Sequence, residues 1–179
     1  VQNFTTIRNE SSQIITASAQ APLVQFGEIN LGKWQYIAHV EKPHIFSWVM
    51  NNYWFTNFRA FQEGEFKWHY SITSTSDTSN TAASRFGWSA CNPLVSRVIA
   101  SNKEGMGNPT LSALQFDAPN VLLVNAKPVE NGILLHLREV EGKNASLSIK
   151  NNIVLNNLSA VDEVNVLNET LHKDVSSVS

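Results

Sequence analysis

One segment concentrates the side chains best suited to binding a ligand. Residues 50–64 combine aromatic rings with three asparagines and one arginine, without the periodicity of a helix or a strand. Asparagine amides both donate and accept hydrogen bonds, and flat rings can stack on the C–H faces of a sugar. This combination suits a carbohydrate cleft. A structural alternative is that the four rings between residues 53 and 58 cap the core, while the asparagines satisfy backbone groups in an irregular crossover.

The acidic residues do not form an evident catalytic pair. Glycoside hydrolysis uses two carboxylates about 5–9.5 Å apart. Glu63 and Glu65 are close enough in sequence to form such a pair, but they flank Gly64. A solvated turn is therefore the favoured interpretation.

The histidines and the cysteine do not follow the spacing of a metal site or a nucleophile. The five histidines are isolated from one another in the sequence, and none shows His-Glu-x-x-His spacing; they are His39, His44, His69, His136 and His172. Cys91 is the one cysteine, which excludes an internal disulfide and a four-cysteine metal site. Its position after a predicted helix favours a buried thiol. The sequence predicts no catalytic residue, metal ligand or cofactor in this chain.

The composition indicates a folded domain without a nucleic-acid or membrane partner. Of 179 residues, 42% are hydrophobic and 16% are charged, which excludes intrinsic disorder. Thirteen basic residues against fifteen acidic ones provide no basic field for nucleic acid. The apolar run at 118–124 is far shorter than the roughly 20 residues of a membrane helix. We expect a single domain over residues 1–179, with a frayed tail at 171–179.

Apolar and polar residues alternate along most of the chain, as in half-buried β-strands. The clearest runs are Phe66–Ile72, Lys33–Val40 and Ile133–Val140, the last of which follows the hairpin pair Asn131-Gly132. Further strands are predicted at Gln13–Ala17, Leu23–Phe26, Ile45–Met50, Arg97–Ala100, Leu111–Phe116, Asn120–Asn125, Ala145–Ile149, Ile153–Leu155 and Val161–Leu167. This pattern predicts an all-β fold, an antiparallel β-sandwich.

One segment has helical spacing instead. Small and apolar residues recur at three- and four-residue intervals from Ser79 to Phe86, which predicts one short helix near residues 77–90. Asp77 or Ser76 is available as its N-cap, and Gly87 lies near its expected C-terminal end.

The segment around residue 55 also resembles a known family. The chain is similar to the C-terminal β-domain of glycoside hydrolase family 38 α-mannosidases, of the bacterial type, in the run Asn51-Asn52-Tyr53-Trp54-Phe55-Thr56-Asn57-Phe58-Arg59-Ala60. Later motifs follow in the family's order: Arg85-Phe86-Gly87, Asn92-Pro93-Leu94, Ser112-Ala113-Leu114, Val121-Leu122-Leu123, the hairpin at 131–139 and the strand at 164–169. The resemblance covers residues 43–169.

The resemblance implies a galactose-mutarotase-like β-sandwich that is one part of a larger enzyme. The parent would be a retaining exo-α-mannosidase whose N-terminal barrel and helical region hold the aspartate nucleophile and the zinc ligands. This chain would be an inactive fragment that packs on both regions, and a bacterial source would make it cytoplasmic or periplasmic. The residues nearest the α-mannoside substrate would be Asn51, Asn52, Tyr53, Trp54, Asn57 and Arg59.

Both ends of the chain bear on this resemblance. Family members close the domain with a strand that carries a short Glu-containing motif, whereas this chain ends in Lys173–Ser179 without it. We therefore expect truncation or divergence there. The chain also begins inside the parent's β-region, so an apolar patch on the order of several hundred Å² should be exposed near Tyr53–Phe61.

Two other functions remain open on the sequence alone. A free-standing carbohydrate-binding module or lectin-like domain would bind sugar through the same segment, and Trp54→Ala would abolish binding with the fold intact. A structural or adhesive β-domain would bind no sugar, and Trp54→Ala would lower its stability instead.

Overall fold

The chain divides into two compact units, Val1–Val95 and Ser96–Ser179. A computed structural model describes residues 3–30, 34–37, 39–50, 59–98, 112–130, 132–150 and 160–175. Their regular structure is mostly strand in antiparallel pairs, with one helix. This confirms the predicted all-β, antiparallel class, while the single domain over 1–179 stays a prediction.

A three-stranded antiparallel sheet forms the base of the first unit. Its strands, in spatial order, are β1 (Thr5–Arg8), β2 (Gln13–Ala17) and β5 (Ser71–Thr75). Along β2, Gln13 and Ile15 are buried, whereas Ile14 between them is half exposed. This alternation is the period of two expected for a strand with one buried face. The observed bounds of β2 match the prediction, whereas β1 was not predicted.

A second sheet in the same unit has two strands. β3 (Leu23–Phe26) pairs antiparallel with β4 (Ile45–Trp48), so that Leu23 lies opposite Trp48. The predicted bounds of β3 are confirmed. β4 ends two residues earlier than predicted.

The helix α1 (Asn80–Cys91) packs against β2 and β1. Its N-cap is Ser79, whose hydroxyl accepts a hydrogen bond from the backbone N–H of Ala82 at 3.1 Å. Hydrogen bonds from the hydroxyl and the backbone N–H of Ser79 lower the pKa of Asp77. The predicted cap, Asp77 or Ser76, is therefore wrong, because Asp77 binds the capping residue and not the helix.

Gly87 allows the helix to approach the sheet closely. A Cβ atom on Gly87 would lie 2.5 Å from the Cβ of Phe4, which is closer than two carbon atoms can pack. The helix continues for another turn to Cys91, and the backbone N–H of Asn92 then donates to the carbonyl of Trp88 at 2.9 Å. Gly87 thus serves close packing and does not end the helix.

A buried glutamine joins the sheet to the start of the helix. Gln13 on β2 is 1% exposed. Its Nε2 donates to the carbonyls of Asp77 at 2.5 Å and Ser79 at 3.1 Å, and its Oε1 accepts from the hydroxyl of Thr6 at 3.0 Å. On the same side, the Arg8 guanidinium donates to a carbonyl of the loop before the helix at 2.9 Å.

Two runs predicted as strands are irregular in the structure. The described residues between 34 and 40 form no strand, nor do residues 66–70, which precede β5. In the second run, the backbone N–H of His69 donates to the side chain of Gln20 at 2.8 Å and not to a neighbouring strand. Alternation predicts which side chains share a face, but a strand also needs a hydrogen-bonded partner.

The described residues of the second unit form antiparallel pairs of strands. The pairs are β7 (Val121–Val129) with β8 (Gly132–Glu139), β6 (Gln115–Phe116) with β9 (Ile149–Lys150), and β10 (Glu163–Val164) with β11 (Thr170–His172). The long hairpin of β7 and β8 confirms the strand predicted at Ile133–Val140, and its register shifts between Leu123 and Asn125. β7 runs four residues beyond its predicted end.

The other predicted strands of this unit are shorter than expected. The side chain of Asn165 accepts hydrogen bonds from the backbone N–H groups of Leu167 at 2.9 Å and Glu169 at 3.0 Å. The resulting turn ends β10 well inside the predicted strand Val161–Leu167. β11 pairs Thr170 with Val164 and His172 with Glu163, so its last two residues fall in the predicted frayed tail.

Three more strand predictions are confirmed only in part or not at all. In the predicted strands Leu111–Phe116 and Ala145–Ile149, the described residues form strand only at β6 and at the first residue of β9. Of the predicted strand Arg97–Ala100, the described residues 97–98 are not strand. The prediction at Ile153–Leu155 lies outside the described residues.

Glu139, the last residue of β8, organises the turn that follows it. Its carboxylate accepts hydrogen bonds from the Asn120 side chain at 2.7 Å and from the backbone N–H groups of Glu141 at 2.8 Å and Lys143 at 2.9 Å. Desolvation raises the pKa of Glu139. These bonds, with a further one from the N–H of Gly142, outweigh it and lower the pKa to about 2.

We predict that Gln13→Leu lowers the free energy of unfolding by about 1–3 kcal/mol, because two carbonyls and a hydroxyl lose their buried partner. Urea unfolding followed by circular dichroism measures the change. Gln62→Leu, at an exposed position of the same unit, should change stability far less. Equal effects of the two substitutions would contradict the role given to Gln13.

We also predict that Glu139 makes the stability of its unit depend on pH. Its pKa is lower in the folded chain than the ordinary value of 4.5, so its contribution is complete above that value and is lost as the pH falls towards 2. Glu139→Gln should flatten the fall in unfolding free energy between about pH 5 and pH 2. Glu130→Gln, at an exposed position, should leave the slope unchanged. A slope unaffected by Glu139→Gln would refute this.

Candidate functional site

Five of the six residues predicted to bind substrate lie outside the described residues: Asn51, Asn52, Tyr53, Trp54 and Asn57. Their assignment therefore stays a prediction.

Arg59 belongs to the described part of the chain. It is exposed, and its guanidinium lies 5.7 Å from the centre of the Phe61 ring, in a cation–π contact. Phe61 is itself more than half exposed. Arg59 is thus accessible to a ligand, and an exposed apolar ring lies at the end of the Tyr53–Phe61 segment, where an apolar patch was predicted.

The carboxylates considered for catalysis are solvated, as expected. Glu63 and Glu65 are exposed, and Glu65 forms an ion pair with Lys67 at 2.8 Å. Among the described residues, no cluster of three or more His, Cys, Asp or Glu side chains could hold a metal ion.

The five histidines are exposed, and the cysteine has a hydrogen-bond partner. Exposure was predicted for His39, His69 and His136, although only His136 lies on a strand. His172 Nδ1 lies 2.8 Å from Glu163 Oε2, a pair that the nine-residue separation in sequence did not reveal. Cys91 is half-buried and not fully buried as predicted, and its Sγ donates to the carbonyl of Asn3 at 3.2 Å.

A groove lies beside the paired strands β3 and β4, and its lining mixes aromatic, amide and charged side chains. We call it the β3–β4 groove; its volume is about 970 Å³ and it is open to solvent. The residues that line it are Leu23, Val24, Gln25, Phe26, Glu28, Ile29, Asn30, Trp34, Gln35, His39, Val40 and Trp48. Aromatic rings and side-chain amides therefore lie side by side in one groove.

Gly27 positions one wall of the groove. Its φ of +80° is favourable only for glycine, and it turns the chain directly after β3. Its N–H donates to the carbonyl of His44 at 3.0 Å, just before β4. A Cβ on Gly27 would lie 3.5 Å from the Cα of Val40 and 3.7 Å from the carbonyl oxygen of His39, so residues 39–40 lie directly over this turn.

Hydrogen bonds and an ion pair hold the rim of the groove. Gln25 Nε2 donates to the carbonyl of Glu28 at 2.6 Å, and the Glu28 carboxylate pairs with the Lys42 ammonium. The hydrogen bond and the charge of Lys42, with a smaller effect of His44, lower the pKa of Glu28. Glu28 is therefore ionised at neutral pH, and Lys42 balances its charge.

The aromatic rings of the groove are largely open to solvent. Trp34 is 84% exposed and Trp48 is 40% exposed. Trp34 makes a T-shaped contact with Tyr36, at 6.0 Å between ring centres and an interplanar angle of 88°. A T-shaped contact places the edge of one ring on part of one face of the other, and at 84% exposure most of the Trp34 ring remains open to a flat or ring-shaped ligand.

Sequence reasoning missed this groove. The alternation of residues 33–40 predicts a strand. The patterns that predict β3 and β4 do not indicate that residues between them line a groove. The signal that could have revealed the groove is the mixture of rings and amides in Trp34-Gln35-Tyr36 and Gln25-Phe26, the same mixture that drew attention to residues 50–64.

Comparison with known proteins does not assign the chain to a family. No protein-family model, curated protein or solved structure matches it. Within the described residues, the helix is too short and too polar to cross a membrane. The functional assignment therefore depends on the geometry and on the motifs of the sequence.

We predict that Gly27→Ala lowers the free energy of unfolding by about 1–2 kcal/mol, because an L-residue is strained at this positive φ. It should also shift the NMR signals of residues 39–40. Gly132→Ala, where an added Cβ meets nothing within 4 Å, should be nearly neutral. A Gly27→Ala protein as stable as the unmodified chain, with unchanged signals, would contradict the geometry of the wall.

Proposed function

We propose that this chain is the non-catalytic C-terminal β-sandwich domain of a family 38 α-mannosidase. In this assignment it packs on the catalytic barrel and helical region of a longer chain, which hold the zinc and the catalytic carboxylates. The residues assigned to the rim of the mannoside cleft are Asn51, Asn52, Tyr53, Trp54, Asn57 and Arg59. The motifs described above and the antiparallel β architecture support this proposal.

The main supporting observation is the distribution of apolar side chains between core and surface. The buried apolar residues of the described chain are Ile15, Ala17, Ala21, Ala60, Ala83 and Ala118. Larger residues of the first unit are more than half exposed, among them Leu23, Ile29, Trp34, Tyr36, Ile37, Phe61 and Ile72. Extensive exposed apolar surface marks an interaction site, which is what a domain separated from its catalytic partner presents.

We predict that the purified chain does not hydrolyse an aryl α-mannoside, with or without added zinc, because the reacting groups belong to the partner region. The complete reading frame should encode an upstream barrel with paired His-x-Asp ligands and an aspartate nucleophile. Co-expression with that region should lower the binding of a hydrophobic dye to this chain, since its exposed apolar residues become covered.

Two results would overturn the proposal. One is a reading frame without a region large enough for a barrel. The other is hydrolysis of mannosides by the purified chain together with stoichiometric zinc binding.

A free-standing carbohydrate-binding module is the second candidate. The observation that favours it is the β3–β4 groove, in which exposed tryptophans lie beside side-chain amides. The reading frame separates the two candidates, because a module of this kind needs no upstream barrel.

A further inference from the structure

We propose that the β3–β4 groove binds a neutral oligosaccharide. The inference goes beyond the mannosidase assignment, because it places sugar binding in the groove and not in residues 51–59, and it rests on the second candidate function, whose ligand class it names. It also requires no contact with a catalytic region. The chemistry of the lining determines the class of ligand.

The exposed rings supply the apolar part of the binding surface. Exposure of 84% at Trp34 is unusual for the largest side chain in proteins, and the indole gains contact area when a ligand covers it. The C–H face of a pyranose is flat, apolar and similar in size to such a ring. Trp48, 40% exposed and lining the same groove, offers a second ring to a ligand longer than one sugar.

The amides supply the polar part of the binding surface. Gln25, Asn30 and Gln35 line the groove, and each carries an amide that can both donate and accept hydrogen bonds. Sugar hydroxyls need partners of both kinds. The bond from Gln25 Nε2 to the carbonyl of Glu28 fixes the orientation of one of these amides before a ligand arrives.

The charge balance of the groove favours a neutral ligand. Among the described residues of its lining, the one carboxylate, Glu28, is paired with Lys42, and none is a lysine or an arginine. Of these residues, His39 alone can carry a positive charge to balance a phosphate or uronate group. A lipid or an apolar peptide would cover the Gln35 amide without offering it a hydrogen bond, which costs free energy.

The size and shape of the groove agree with an oligosaccharide. Its volume of about 970 Å³ lies at the upper end of the range of ligand sites, about 300–1,000 Å³. Because it is open to solvent, a ligand longer than one sugar can enter it directly.

Calorimetric titration of the full chain with mannotriose and cellotriose tests the proposal, with a trimer of galacturonic acid as the charged comparator. At least one neutral trimer should bind, and the charged trimer should bind at least tenfold more weakly. Trp34→Ala should weaken the neutral ligand at least tenfold. Because Trp34 is so exposed, the melting temperature should stay close to that of the unmodified chain.

Leu94→Ala is the control, since it removes an exposed apolar side chain that does not line the groove. It should leave the affinity unchanged. Gln35→Ala should weaken binding while all the rings remain. The groove is refuted as the site if neither neutral trimer binds, if Trp34→Ala has no effect on affinity, or if the galacturonic acid trimer binds equally well.

These outcomes are independent of the mannosidase proposal. A reading frame with an upstream barrel, combined with no sugar binding by the groove, would refute only the present inference. Sugar binding through Trp34 in a chain without such a region would refute only the parent enzyme.

Discussion

The arrangement of the first unit depends on the buried amide of Gln13. A side-chain amide that is 1% exposed must find hydrogen-bond partners inside the protein, because water cannot supply them. Its partners are two carbonyls at 77 and 79, in the loop before the helix, and the hydroxyl of Thr6 in β1. The amide therefore fixes where the loop before α1 lies on the sheet, and Ser79 starts the helix at that point.

This constraint also explains why the core of the unit is built from small residues. Gln13 on β2 is hydrogen-bonded to the start of the helix. The helix therefore lies so close to Phe4, the residue before β1, that Gly87 has no room for a Cβ. Small side chains such as Ala83 fill this narrow space. Few large apolar residues fit there, and they lie on other surfaces of the unit instead. The close contact of helix and sheet and the exposed apolar surface are thus two results of one arrangement.

The sequence predicted the elements in which an alternating pattern coincides with a hydrogen-bonded partner strand. β2, β3 and the β7–β8 hairpin follow from alternation and turn chemistry, and the helix follows from its spacing. Residues 34–40 and 66–70 have the same alternation, but side-chain contacts such as Gln20 to His69 replace a strand partner, and no local pattern reveals this. The β3–β4 groove was missed for a related reason: its residues come from three separate stretches of chain, brought together by Gly27. Of the predicted substrate residues, Arg59 alone lies in the described part.

The exposed apolar residues do not all serve the same purpose, because their neighbours differ. Leu94 and Val95 are almost fully exposed, belong to an apolar stretch after the helix, and are suited to an apolar partner surface. In the β3–β4 groove, by contrast, Trp34 lies among amides that would lose their hydrogen bonds against such a surface. A ligand rich in hydroxyl groups can cover the ring and satisfy the amides together. In the proposed function, such a unit would pack on the larger enzyme through its apolar stretches and keep the groove free for a sugar chain.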